Sequence, residues 1–176
     1  QPVFLGNQAD AKVFDTYSDE FRDFDDISVK DKFNETLKYF EIAESFHTEY
    51  NSDTDSVVGF IKPIGLNKVI KMTELGVGFS QLAPIILLCL TSKPGTTILL
   101  EQPELHLHPK VQQKFADFII EMTEKYKLQI ILETHSDHML NRIRRRIAQA
   151  KLENNDSSLF KTCKIPYPLL RYKMEQ

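Results

Sequence analysis

The chain has 176 residues, of which 41% are hydrophobic, and a formal net charge of −3. This length and apolar content fit one medium-sized globular domain, and the slightly acidic balance gives no general electrostatic case for nucleic-acid binding. No apolar run reaches the roughly 18–20 residues that span a bilayer. Two distant cysteines, Cys89 and Cys163, make neither a disulfide framework nor a zinc pattern, so we expect a cytoplasmic protein.

The first third of the chain predicts an irregular segment followed by one helix. Residues 1–27 mix acidic residues and Phe without a sustained period. From Ser28, which forms a capping-box pattern with Asp31, apolar residues recur at helical spacing and predict a helix over about 29–46. These apolar residues are Val29, Phe33, Leu37 and Phe40. Residues 51–56 predict a loop.

Short strands come next, and then a glycine-containing turn. Residues 57–72 predict two short strands that are broken around Pro63 and Gly65. The stretch LGVGFSQ, residues 75–81, predicts a turn that leads into an apolar helix. Its two glycines allow close backbone approach, and a helix N-terminus favours an anion such as phosphate. A turn that needs positive φ explains the glycines equally well.

Strands and helices alternate over the second half of the chain. The apolar residues 97–100 predict a short strand of the kind that is fully buried in a parallel sheet. Pro109 marks the first residue of a helix that runs to about residue 125. Residues 128–136 predict a second buried strand, which another helix follows. This order predicts a βαβ unit with a parallel sheet and a right-handed crossover.

Polar clusters follow both of these strands, at the edge where open α/β sheets bind ligands. Glu101 ends the first strand, and a buried carboxylate there needs a partner such as hydrated Mg²⁺. A solvated strand end is the alternative. His135 follows the second strand and could hydrogen-bond a phosphate or a water. A structural histidine is the alternative there.

In this order, three segments resemble the C-terminal half of an ABC-type ATPase. ELGVGFSQLAPII resembles a signature segment, TTILLEQPELHLHP a Walker B strand with its D-loop, and IILETHSDHMLNRI a switch-histidine strand. The resemblance covers residues 70–147 and is to bacterial AAA-family ABC-class ATPases related to structural-maintenance, RecF-like and overcoming-lysogenization-defect proteins. It implies an α/β, P-loop NTPase-like lobe with parallel strands and flanking helices.

The resemblance also implies roles for individual residues. Glu101 would be the Walker B acid that holds Mg²⁺ through water, and Gln102 would stand at the position of the catalytic glutamate. His135 would be the switch histidine that senses the γ-phosphate of ATP. The D-loop that crosses the dimer interface would comprise Leu105, His106, Leu107 and His108. The signature segment, presented to an ATP held mainly by the opposing subunit, would comprise Gly76, Gly78, Ser80 and Gln81.

The sequence departs from the family pattern in three places. Gln102 can orient water but cannot take its proton, so hydrolysis should be slow unless Glu104 or the phosphate acts as base. Ser80 directly precedes Gln81, whereas the common signature places the serine three residues before. The phosphate-binding pattern G-x-x-x-x-G-K-[ST] occurs nowhere in the chain. We therefore expect the C-terminal lobe of a longer ATPase, with weak or undetectable nucleotide binding by itself.

The resemblance further implies a division of the chain and a set of partners. Residues 1–56 would be an irregular segment plus a helix of the helical lid region, 57–160 the C-terminal lobe, and 161–176 a tail. The expected partners are a missing N-terminal lobe, a second subunit in an ATP-dependent homodimer, and DNA or an effector nuclease. A role in DNA maintenance or phage defence follows from the resemblance.

Two other classes of function remain open. A zinc hydrolase would use His106, His108, His135 and His138 as ligands. A non-enzymatic dimerisation or docking module would keep a vestigial ATP site. In that second class, the basic run Arg142, Arg144, Arg145 and Arg146 could contact DNA, although such charges are more often a solvated helix face.

Overall fold

A computed structural model describes residues 28–152, which form two small β-sheets and four α-helices around a shared core. The N-terminal half contains α1 (Val29–Tyr39), β1 (Ala43–Asn51), β2 (Ser56–Pro63), β3 (Ile70–Lys71), a 3₁₀ turn (Met72–Glu74) and α2 (Val77–Thr91). The other half contains β4 (Thr97–Glu101), α3 (Pro109–Glu124), β5 (Gln129–Glu133) and α4 (Asp137–Leu152). The expectations for residues 1–27 and 161–176 lie outside the described residues.

The first helix starts as predicted but ends earlier. Ser28 caps α1 by accepting a hydrogen bond from the N–H of Asp31, and the four predicted apolar positions are buried. The predicted extension to residue 46 is wrong, because Glu41 adopts a left-handed φ of 60° and the chain then turns into β1. Phe46 meets the ring of Phe33 edge-on at 5.3 Å. Phe46 is therefore buried from a strand and not from a helix.

The first sheet is antiparallel, in the order β1-β2-β3. Its hairpin pairs Asn51 with Ser56, so the predicted loop is narrowed to residues 52–55. The two strands expected within 57–72 are confirmed as β2 and β3. The proposed boundary between residues 56 and 57 falls at the start of β2, so it separates most of β2 from its pairing partner β1. The division of the chain remains a prediction.

The second sheet confirms the predicted βαβ unit. Strands β4 and β5 are parallel, α3 connects them, and Leu99 pairs with Ile131 in the register. Pro109 is the first residue of α3, as predicted. Full burial of the two strands is wrong for the described residues, since the side chains alternate between a covered face and an open one. Leu99 is 73% exposed, whereas its neighbour Leu100 is buried.

One core joins the helices and sheets. It includes Phe33, Phe40, Ile61, Leu82, Ile86, Phe115 and Met139, which are almost fully buried. Phe40 on α1 packs against the rings of Phe115 and Phe118 on α3. Lys114 of α3 adds polar links to α1, donating to the carbonyl oxygen of Tyr39 at 2.6 Å. The packing fixes α3, and with it the turn that precedes α3. Within residues 28–152, no helix is long and apolar enough to cross a membrane.

Candidate nucleotide-binding edge

The candidate site lies at the carboxyl ends of β4 and β5, where their register puts two acidic residues side by side. Glu101 is directly opposite Glu133, and both side chains are exposed. The expectation that Glu101 is a buried carboxylate is therefore wrong for the described residues. An exposed carboxylate that ends a strand bears little desolvation cost and is free to bind a hydrated cation. Oxygen ligands of this type suit Mg²⁺.

Gln102 is held by its backbone between the two other motif segments. Its N–H donates to the carbonyl oxygen of Glu133 at 2.9 Å, and its own carbonyl oxygen accepts from Nε2 of Gln81 at 3.3 Å. Its φ of 45° is a left-handed conformation that non-glycine residues seldom adopt. The strand thus turns sharply at Gln102, and its backbone links the end of β5 to the first turns of α2.

The predicted signature segment is helical and not a turn before a helix. Gly76 is the N-cap of α2, so Gly78, Ser80 and Gln81 lie within its first two turns. Gly78 is packed against the D-loop: an added Cβ would stand 2.7 Å from the carbonyl oxygen of His106. Gly76 has nothing within 4 Å of such a Cβ. Close packing against the D-loop therefore requires glycine at position 78 but not at position 76.

The predicted D-loop is a tight turn anchored at one residue. Leu107 is buried, whereas Leu105, His106 and His108 are exposed. His106 has a φ of 61°. His108 caps α3, where its Nδ1 accepts a hydrogen bond from the N–H of Lys110 at 3.3 Å. The loop therefore presents three exposed side chains on a fixed backbone.

His135 is exposed, and its backbone is bound to the turn that follows β4. Its N–H donates to Oε1 of Glu104 at 2.7 Å. Next to it, the hydroxyl of Ser136 donates to Oε1 of Gln112 at 2.6 Å and accepts from the N–H of Met139. Sequence reasoning missed Gln112 and the cap formed by Ser136. A serine just before a helix was a readable signal, whereas nothing marked Gln112.

The histidines do not form the metal cluster of the zinc-hydrolase alternative. Among residues 28–152, no group of three or more His, Cys, Asp or Glu side chains is placed to hold a metal ion. His108 already uses Nδ1 as a helix cap. The geometry of the described residues therefore gives no support to a protein-ligated zinc site.

The arginine run is not a uniformly solvated face. Asp117 on α3 receives hydrogen bonds from Arg142 and Arg146 on α4, with Arg142 Nη2 at 2.7 Å and Arg146 Nε at 2.7 Å. Burial of Asp117 opposes its ionisation, but the two guanidinium groups outweigh it and lower the pKa of that carboxyl. Arg144 and Arg145 are exposed. Half of the run therefore ties α3 to α4.

Tyr39 shares this cluster, since its hydroxyl lies 3.3 Å from Oδ2 of Asp117. Burial, and next the negative charge of Asp117, raise the pKa of Tyr39 to about 12. A cavity of about 390 Å³ opens beside these side chains, lined by Glu121 and Lys125 among others. None of the motif residues at the strand ends lines it.

Comparison with known proteins finds similarity at the level of family and fold. A protein-family model described as AAA ATPase domain matches residues 7–140. An OLD nuclease of Thermus scotoductus is 45% identical over 40 residues, which are 23% of this chain and 8% of the nuclease. The chain thus matches only a small part of that relative.

Solved structures of SMC ATPase heads share the fold. One, from a study of ATP-driven dimerization and DNA-stimulated activation of SMC ATPases, has a TM-score of 0.53 and 20% identity over 65% of this chain and 71% of that one. A second, the Smc head domain of Pyrococcus furiosus bound to the C-terminal domain of ScpA, has a TM-score of 0.51 and 18% identity. It is matched over 65% of this chain and 29% of its own. At these identities, the likeness shows the fold.

Proposed function

The chain belongs to the AAA ATPase domain family, and from this premise we propose that residues 70–147 form the C-terminal part of an ATP-binding and ATP-hydrolysing site of the ABC class. The observation that carries the proposal is the mutual contact of the three motif segments. Gly78 packs on His106, Gln81 donates to Gln102, and Glu104 accepts from His135. Segments that act on one ligand need this kind of fixed mutual geometry.

Within this proposal, Glu101 and His135 face the nucleotide. Glu101 would hold Mg²⁺ through water, and the donor chemistry fits, since Mg²⁺ binds one or two carboxylates and keeps several waters. Bound Mg²⁺ neutralises charge on the phosphate oxygens. His135, exposed at the next strand end, would hydrogen-bond the terminal phosphate. Both residues are exposed.

Gln102 would orient a water molecule by hydrogen bonding without accepting its proton. A carboxamide has no basic oxygen at neutral pH, so turnover should be slow. This residue favours a second candidate function, a dimerisation or docking module that binds ATP without hydrolysing it. Binding of ATP with no release of phosphate would identify the second candidate.

The signature segment and the D-loop would act on a second subunit. Gly76, Ser80, His106 and His108 are exposed and therefore accessible to a second subunit. The SMC heads are described as undergoing ATP-driven dimerization. We extend to this chain an ATP-dependent homodimer and a role linked to DNA maintenance or phage defence. DNA or an effector nuclease is the proposed partner, by analogy with the OLD nuclease.

The phosphate-binding loop would come from outside these residues. Its pattern is absent from the sequence, and that loop provides most of the backbone grip on phosphate in P-loop enzymes. We therefore propose that a phosphate-binding lobe completes the site, and that the present chain binds nucleotide weakly.

The test is titration of a fluorescent, slowly hydrolysed ATP analogue with Mg²⁺ into this chain, and into the chain together with a lobe that carries the phosphate-binding loop. Binding should appear with the added lobe and weaken in Glu101→Ala and His135→Ala. Glu121→Ala, at an exposed position on α3, is the control. Tight binding by the chain alone would refute the need for a second lobe, and no binding in either sample would refute the proposed site.

A further inference from the structure

Glu104 has an environment unlike that of the other acids near the strand ends. Its side chain is buried, with the residue 7% exposed, whereas Glu101 and Glu133 are exposed. The buried polar or charged residues of the described chain are Thr36, Glu104 and Ser136. Two of these three are therefore found at the candidate site: Glu104 in the turn after β4, and Ser136 in the segment that carries His135.

One oxygen of Glu104 makes a short, directed contact. Oε1 accepts from the N–H of His135 at 2.7 Å, a distance typical of a charge-assisted bond between a carboxylate and a backbone amide. The other oxygen, Oε2, is buried and has no hydrogen-bond partner among residues 28–152. A buried acceptor without a partner destabilises the fold, so the burial of the Glu104 carboxyl group needs an explanation other than stability.

A second link runs parallel to the first. Nε2 of Gln112 donates to the carbonyl oxygen of Leu107 at 2.8 Å, and Oε1 of the same amide accepts from the hydroxyl of Ser136 at 2.6 Å. The turn after β4, from Glu104 into the D-loop, is thus joined to the segment 134–136 at two neighbouring points. One link is a neutral amide bridge, and the other is the Glu104 carboxylate.

In this geometry, Glu104 is not placed to act as the general base that the sequence left open for it. A base must reach the proton of a water molecule or of a substrate. One oxygen of Glu104 is bonded to the backbone of His135, and the other is enclosed by protein. The contact instead fixes where the backbone of His135 stands relative to the D-loop.

We propose that Glu104 is a positioning residue, whose carboxylate binds the His135 amide so that the switch histidine and the D-loop turn are held as one unit. The role rests on the proposed function, in which His135 faces the terminal phosphate and the D-loop faces the second subunit. A shift of one segment then moves the other. The state of the dimer interface is thereby coupled to the placement of the imidazole.

The first test needs no nucleotide. Hydrogen exchange of the His135 amide is followed by NMR in the wild-type chain, Glu104→Ala, Glu104→Gln and the control Glu121→Ala. Loss of the bond should speed exchange of this amide by about tenfold in Glu104→Ala. The glutamine, which keeps an acceptor oxygen, should give a smaller increase. Unchanged exchange in a folded Glu104→Ala variant overturns the proposal. If Glu104→Ala does not fold, Glu104→Gln is measured in its place, and unchanged exchange in that variant overturns the proposal.

The second test uses the ATPase completed with its phosphate-binding lobe. Glu104→Ala should lower kcat about tenfold or more and leave KM nearly unchanged, because small misplacement of a catalytic group affects the transition state most. In a His135→Ala background, the same change should cost little further activity. Independent losses that multiply would overturn the proposal.

The two tests separate the possible failures. If wild-type protein neither binds nor hydrolyses ATP, the proposed function fails, and the exchange of the His135 amide still decides whether Glu104 positions that backbone. If ATP turns over but the fold-losses of the two single variants multiply in the double variant, the function stands and the positioning role falls.

Discussion

Gly78 and His106 are in direct backbone contact, since a Cβ at position 78 would stand 2.7 Å from the carbonyl oxygen of His106. His106 is already held at a φ of 61°, and Leu107 beside it is anchored in the core. The D-loop turn therefore has little freedom to move away from a side chain at position 78. The first turn of α2 and the D-loop fit together only when position 78 lacks a side chain.

Replacing Gly78 with Ala should destabilise the fold and displace the D-loop. The expected loss is about 1–3 kcal/mol, as for other overpacking changes. It exceeds the helix-propensity gain, which is at most about 1 kcal/mol and smaller in the first turn. Urea unfolding measures the loss of stability, and nucleotide affinity of the completed ATPase should fall with it.

Gly76→Ala is the matched control for this change. Gly76 has a φ of −61° and no atom within 4 Å of an added Cβ, so no clash is expected. The change should cost only about 0.5–1 kcal/mol, because Ala is a poorer N-cap residue than Gly. Equal effects of the two substitutions would contradict close packing as the reason for Gly78.

The Asp117 cluster predicts unequal contributions from neighbouring arginines. Arg142→Gln removes a guanidinium that contacts both oxygens of Asp117, and the two side chains are 26% and 11% exposed. Loss of these bonds should lower the free energy of unfolding by about 1–3 kcal/mol. Arg145→Gln, at an exposed position, should change it by less than about 0.5 kcal/mol. Chemical denaturation of both variants checks the ranking, and a larger effect of Arg145→Gln would contradict it.

The same cluster predicts a specific acid sensitivity. Because the guanidinium groups lower the folded-state pKa of Asp117 below its ordinary value of 3.8, its ionised form stabilises the fold above that ordinary value. This contribution is lost progressively as pH falls from 3.8 through the lower folded-state pKa. Thermal unfolding of wild type and Asp117→Asn over this range should show a steeper acid loss in wild type. Parallel curves would show that Asp117 is not responsible.

Local sequence signals predicted most element starts but not every end. Ser28 and Pro109 begin their helices as expected, because capping and a fixed φ act within a few residues. The end of α1 was missed, since Phe46 continues a helical apolar spacing while its burial depends on the hairpin and on Phe33. The exposure of Leu99 could not be predicted either, because an apolar strand pattern does not show which face of the strand is covered.

The candidate site was predictable as a set of motif segments and not as a network. Glu101 ends one apolar strand and His135 follows the next, which places them at one edge by topology alone. The contact from Glu104 to His135 spans 31 residues in sequence, and the pairing of Arg142 with Asp117 spans 25. Such separations leave no local pattern. These partners depend on how α3 and α4 pack, which a single sequence does not encode in short motifs.

Repulsion between Glu101 and Glu133 should destabilise the end of the second sheet. They are paired in the parallel register of β4 and β5, and neighbouring strands lie about 4.8 Å apart. Like charges directly opposite on a sheet are destabilising by a few tenths to about 1 kcal/mol. Glu133→Gln should therefore raise the thermal unfolding midpoint at low salt. The gain should shrink at high salt, where screening weakens the repulsion in wild type.

A comparison of Mg²⁺ with Na⁺ distinguishes ionic screening of the Glu101–Glu133 repulsion from binding of the cation at this edge. If Glu101 holds hydrated Mg²⁺, the divalent ion should stabilise wild type more than the same ionic strength of Na⁺, because an ion bound at this edge offsets the negative charge of the paired Glu101 and Glu133. The extra stabilisation should disappear in Glu101→Ala and persist in Glu121→Gln, whose carboxylate lies on the exposed face of α3. Identical responses to Mg²⁺ and Na⁺ at matched ionic strength would mean that the Glu101 edge does not bind Mg²⁺ without nucleotide. In that case, the cation would have to arrive with the phosphates.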